Sequence, residues 1–261
     1  MNLSLMQSLD SWVISSILFV AMVLSIWVGT VVGKRIAGAG LTNDDSNTGR
    51  DISSLTALLF FLLAFAFGMS GNRYESRRGV IVEEANDIGT ALLRADLYPE
   101  VERAAFRQDF KDYLELRIAY FEERTMAKVL AADSMAQVIA AKLWQRATHL
   151  AKDPAYLVAT QQMIPALNAM IDVGTTRKAG ELAKVPETIV WMLFGLAITC
   201  GFFVGYASAW KAKLDWIVAG GFCLLVSFVV YITLDLDRPR RGFINLKKTN
   251  QNIIDLRKSF E

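Results

Sequence analysis

The sequence predicts an all-α membrane protein in which four transmembrane helices, two N-terminal and two C-terminal, flank a helical soluble domain. Three observations carry this. Residues 12–33, 55–71, 188–209 and 216–234 hold no Asp, Glu, Lys or Arg, and each run is close to the roughly 17–25 residues a helix needs to cross about 30 Å of hydrocarbon. The residues between the second and third runs are patterned for helices. No alternating strand pattern, Gly-rich phosphate loop or internal repeat is present.

The organisation that follows is a first transmembrane pair in residues 1–71, with spans at about 12–33 and 52–71, then a helical domain over 72–186 that continues the second span. A second pair occupies 187–234, with spans at about 188–209 and 215–234, and a polar tail fills 235–261. Trp12, Trp191, Trp210 and Trp216 stand at span ends, where amphipathic rings favour the headgroup layer. No basic segment precedes the first run, and it is longer than a signal-peptide core, so it reads as a retained helix. Ile52, Ser53 and Ser54 extend the short second run.

Orientation follows from the basic residues near the span ends. The domain and tail flanks carry Arg73, Arg77, Arg78, Arg177, Lys178, Lys184, Arg238, Arg240, Arg241, Lys247 and Lys248, against Lys34, Arg35, Arg50, Lys211 and Lys213 in the two short connections. Lys34 and Arg35 directly after the first span argue the reverse, but the majority puts the domain and both termini in the cytoplasm.

Between residues 72 and 97 there is no proline, so the second span is expected to run on as one long helix. Ile81, Ala85, Ile88 and Leu92 form an apolar seam along it, and Glu83, Asp87, Thr90 and Arg94 a polar face. Pro99 starts a new helix, which carries Phe106, Phe110, Tyr113, Arg117 and Tyr120 as an aromatic core seam. Asp133 or Ser134 is the expected cap of a helix through His149, and Asp153-Pro154 opens another to about Ala169, bent at Pro165.

Catalytic chemistry has little to stand on. His149 is the single histidine, so neither a zinc site of the usual His and Cys spacing nor a serine triad with a nucleophile signature is in view. The chain reads as a non-enzyme with no metal and no cofactor. Cys200 and Cys223 both fall inside spans, and a net charge of +2 gives no reason to expect a nucleic-acid partner. Glu83, Glu84 and Asp87 are expected to pair with Arg77, Arg78 and Arg94 rather than to hold an ion.

The segment Asn72-Arg73-Tyr74-Glu75-Ser76-Arg77-Arg78, then Glu83-Glu84-Ala85-Asn86-Asp87-Ile88-Gly89-Thr90-Ala91 and Leu93-Arg94-Ala95-Asp96-Leu97-Tyr98-Pro99, resembles the bacterial bestrophin-like domain family. Leu236-Asp237-Arg238-Pro239-Arg240-Arg241-Gly242-Phe243 is similar to that family's second signature. Bestrophins proper are pentameric ion channels with a pore along the second transmembrane helix. The resemblance therefore implies a homo-oligomer, a pentamer by analogy, that passes inorganic ions through the lipid bilayer. No equivalent of the bestrophin apolar-proline neck or acidic calcium clasp occurs here.

On a pore-lining second helix, Leu58, Leu62, Phe65, Met69 and Asn72 share one face, with Phe65 and Met69 as gate candidates, since rings of apolar side chains close channels by excluding water. Arg73 and Arg77 would then favour anions, whereas Glu83 and Asp87 would favour cations, and both signs stand on the path. Arg238, Arg240 and Arg241 are candidates for anionic lipid headgroups, at about 1 kcal/mol per basic residue near the surface, with Asp235 and Asp237 expected to pair with them. Gly195, Gly201, Gly205, Gly220 and Gly221 permit close helix contact within the chain or between copies. The rival expectation is a membrane-anchored signalling or scaffold protein whose helical domain binds a partner.

Overall fold

A computed structural model describes residues 9–39, 45–123, 125–209, 215–240 and 242–260. Trp210, Lys211, Lys213 and Arg241 lie outside the described residues. Among those described the chain is all helical, with no strand. The helices are α1 (Ser11–Gly38), α2 (Asp45–Arg94), α3 (Glu100–Glu122), α4 (Met126–Leu150), α5 (Leu157–Leu182), α6 (Glu187–Ser208), α7 (Trp216–Leu236) and α8 (Lys247–Asp255). Short 3-10 turns cover Ala95–Leu97, Pro154–Tyr156 and Leu256–Phe260. Four helices are long and apolar enough to cross a membrane: α1, the apolar part of α2, the stretch ending in α6, and α7.

The chain divides into two compact units, Met1–Tyr74 with Lys184–Ile244, and Glu75–Ala183 with Asn245–Glu261. The first unit is apolar. Its core joins Leu18, Met22 and Ile26 of α1, Leu59 and Leu63 of α2, Leu193 and Ala197 of α6, and Cys223 and Val226 of α7. Helices α1 and α6 approach until their backbones touch. A Cβ on Gly205 would run into the Ile26 carbonyl, and one on Gly29 into that of Phe202, so only glycine admits this crossing. The Ser25 hydroxyl donates to the Ile198 carbonyl at 2.7 Å across the same seam. Gly201 and Gly205 thus serve the fold of one chain, whereas Gly195, Gly220 and Gly221 meet nothing within 4 Å.

The second unit packs the end of α2 with α3, α4, α5 and α8. Ile81, Ala85, Ile88 and Leu92 are buried, as are Phe106, Phe110, Tyr113, Arg117 and Tyr120 of α3. Pro99 occupies the N-cap position of α3, where its missing N–H costs nothing. Two helix bounds differ from expectation. Helix α4 starts at Met126, eight residues or so before the expected cap, because Asp133 is spent on an ion pair inside the unit, its Oδ2 lying 2.6 Å from Lys178 Nζ. Asp153 does cap its turn, accepting from the Ala155 amide at 2.9 Å, but the helix beyond passes Pro165 and ends only at Leu182. Buried Met163, Leu167, Met170 and Val173 hold it past the proline.

Candidate functional site

Helix α2 carries nearly every residue that the sequence singles out. One stripe of it is covered by its own chain: Leu59, Leu63, Ala66 and Ser70, then Arg77, Ile81, Glu84, Ile88 and Ala91. The spacing is the alternation of three and four that places residues on one helical face. The face about 100° round from it is partly open. Leu58 is 46% and Phe65 59% exposed, Asn72 is exposed, and Leu62 and Met69 are half-buried. Only 17% of the apolar window of α2 is buried, against 33% for α1 and 39% for the other two candidate spans.

The charged residues of α2 have unlike surroundings. Within the first unit, Arg73 Nη1 lies 3.5 Å from Asp237 Oδ1, while Asp237 Oδ2 accepts from the Val185 amide at 2.8 Å. Within the second, Arg77 is only 6% exposed and donates to the carbonyls of Gly180 at 3.0 Å and Ala183 at 2.7 Å. Arg78 pairs with Glu75 at 3.1 Å, and Arg94 donates to the Gln162 carbonyl. Glu83 is exposed and Asp87 half-buried, and neither has an ion pair among the described residues. Burial, then the neighbouring carboxylates Glu83 and Glu84, push the Asp87 carboxyl above its usual range.

Glu84 does not pair with the arginines of its own helix. Wholly buried, it accepts from Arg117 Nε of α3 through one oxygen and from Arg177 Nη1 of α5 through the other. Burial alone would raise its pKa, but the Arg177 and Arg117 guanidiniums outweigh that and hold it below the usual carboxylate value. Arg117 also faces Asp133 at 3.5 Å, and Arg177 donates to Asn250 Oδ1 at 2.7 Å, which ties α8 into the cluster. The Tyr120 ring covers both guanidiniums, at 4.7 Å from Arg117 and 5.4 Å from Arg177. That cation–π contact helps offset the buried N–H groups left without an acceptor, Arg117 Nη2 and Arg177 Nε. Burial pushes the adjacent Tyr113 hydroxyl up to about 12. Sequence reasoning missed this cluster. Its signals were an arginine within the aromatic seam and a glutamate at the azimuth of Ile81 and Ile88.

The loop after α7 is built on its own carboxylates. Asp235 is buried and accepts from the Ile244 amide at 2.8 Å, and a Cβ on Gly242 would sit 2.8 Å from the Asp235 carbonyl. Arg238 donates to the Leu9 carbonyl. His149 lines an open cleft of ≈ 600 Å³ with Glu102, Lys142, Gln145, Arg146, Leu150, Asp153 and Tyr156. There Lys142 and Arg146 are tied to Asp109, at 2.6 and 3.0 Å.

The Bestrophin-like domain model matches residues 17–251, which include both signature segments and run from α1 into α8. The chain belongs to this family. No curated protein and no solved structure matches it significantly. Membership of the Bestrophin-like family, with four apolar helices, makes this a membrane protein and points to a channel type rather than an enzyme.

Proposed function

We propose that the chain is the subunit of a homo-oligomeric ion channel whose pore is lined by α2. The two N-terminal and two C-terminal spans flank the helical unit, which sits with both termini on the cytoplasmic side of a bacterial inner membrane. By analogy with bestrophins the assembly is a pentamer. The observation that carries the reading is the cover of α2: of the four candidate spans it is the one its own chain buries least, and on the candidate pore face Leu58, Phe65 and Asn72 are exposed and Leu62 and Met69 half-buried. Repeated around an axis, Phe65 and Met69 form rings that hold the path closed by excluding water.

A second reading, a membrane-anchored scaffold whose helical unit binds a partner, draws on an apolar cleft of ≈ 480 Å³. Leu97, Pro99, Tyr156 and Val158 line it, with Leu97 and Val158 exposed. Purified protein in liposomes separates the two. The channel reading expects single-channel currents in wild type and raised open probability in Phe65→Ala. Absence of current at every voltage and salt, from protein that stays monodisperse, leaves the scaffold.

A further inference from the structure

We propose a buried binding site for a single water molecule between α3 and α5, held by Arg117 Nη2 and the Tyr113 hydroxyl and given room by Gly174. All three residues belong to the second unit, and the site does not depend on a pore along α2. Arg117 is 2% exposed, and its guanidinium presents three nitrogens to the core. Nε donates to Glu84 and Nη1 faces Asp133 at 3.5 Å, but Nη2 finds no acceptor among the described residues. A buried donor left in this way carries a desolvation penalty, which the face of the Tyr120 ring relieves only in part. Tyr113 stands one turn before Arg117 on α3. Its hydroxyl keeps its proton, pushed up to about 12 by burial, and makes no hydrogen bond to another described residue.

The room is made on α5. A Cβ on Gly174 would sit 3.5 Å from Tyr113 Oη and 4.0 Å from Arg117 Nη2. Any other residue would place a carbon there, whereas glycine lets both polar atoms face a space of about one water, with the two polar partners that a buried water needs at the least. Charge decides the ligand. The buried carboxylates Glu84 and Asp133 match the buried guanidiniums of Arg117 and Arg177, and at the edge Lys178 and Glu181 add one charge of each sign. The cluster is therefore neutral as it stands. A halide would bring an unbalanced charge into the core, while water accepts from both donors without one.

Gly174→Ala tests the site by the sign of its effect. Alanine ordinarily stabilises a helix interior relative to glycine, and the new Cβ would make only van der Waals contact, so packing alone predicts a higher melting temperature. Displacement of the water predicts a lower one, by roughly 2–6 °C in the detergent-solubilised full-length protein. Gly180→Ala, on the same helix with nothing within 4 Å, is the control and is expected to melt at or above wild type. Tyr113→Phe is expected to lower the melting temperature of wild type but to add little to Gly174→Ala, because both changes break the same bridge. Gly174→Ala melting at or above wild type, or additive effects of the two changes, overturns the site. A crystal structure of wild type grown in bromide identifies the ligand. A solvent oxygen within hydrogen-bond distance of Arg117 Nη2 and Tyr113 Oη supports water, anomalous bromide density at that point overturns the assignment to water, and no density there overturns the site.

Discussion

The two units of this chain solve the same problem, holding helices together, by opposite chemistry. The apolar unit has its tightest seam where Gly29 of α1 and Gly205 of α6 let backbones meet. In a bilayer, lipid is as apolar as the helices, so association rests on close packing and on hydrogen bonds such as that from Ser25. The other unit buries Phe106, Phe110, Leu114 and Leu167 as a water-soluble bundle does, then places Glu84, Arg117 and Arg177 in the middle of that core. Buried ion pairs are weak contributors to net stability, because desolvation consumes most of their attraction. What they do is penalise wrong arrangements: three helices and the α8 segment must arrive together or leave a charge unmatched. The difference teaches that one unit is specified by shape and the other by shape plus charge.

The contrast is sharpest at Glu84. Glu84→Gln leaves two buried guanidiniums facing a neutral amide, and the expected cost is about 3–5 kcal/mol, read as a large drop in the melting temperature of the detergent-solubilised protein. Acid should do the same more gradually. The folded pKa of Glu84 lies below that of an ordinary glutamate, so its contribution is fully present above the unfolded value and is lost as pH falls through the folded pKa. A Glu84→Gln melting temperature that fell with acid as steeply as wild type would show that other groups set the acid limit.

In the apolar unit the corresponding break is steric. Gly205→Val pushes side-chain atoms into the Ile26 backbone, and the expected loss is at the upper end of about 1–3 kcal/mol for overpacking. Gly220→Ala, with nothing within 4 Å, is expected to melt like wild type. Equal effects of the two would remove the distinction between glycines that serve the chain and glycines left open. The smallest effect lies on the surface: Glu115 and Arg257 form a bidentate pair at 2.6–2.7 Å, both about half exposed. Glu115→Gln should cost below about 1 kcal/mol and less still in high salt, since water screens exposed pairs.

Much of the fold is readable along the chain. The apolar runs, the long α2, the Pro99 helix start and the seams of Ile81 to Leu92 and Phe106 to Tyr120 all express contacts between a residue and its neighbours three or four places on. The helix bounds that differed did so where long-range contacts prevailed, at Asp133 with Lys178 and along α5 past Pro165. The candidate site was legible as a list of residues on α2 but not as an environment.

By itself the sequence determined four stretches able to cross a bilayer and the family to which they belong, because a run without charges and a short signature are local properties. Tertiary structure alone decided which charges are spent. Glu84 meets Arg117 from 33 residues away and Arg177 from 93, Arg73 meets Asp237 from 164, and Arg77 reaches the Gly180 carbonyl from 103. Such pairings depend on how separate helices cross, which periodicity along one helix does not encode.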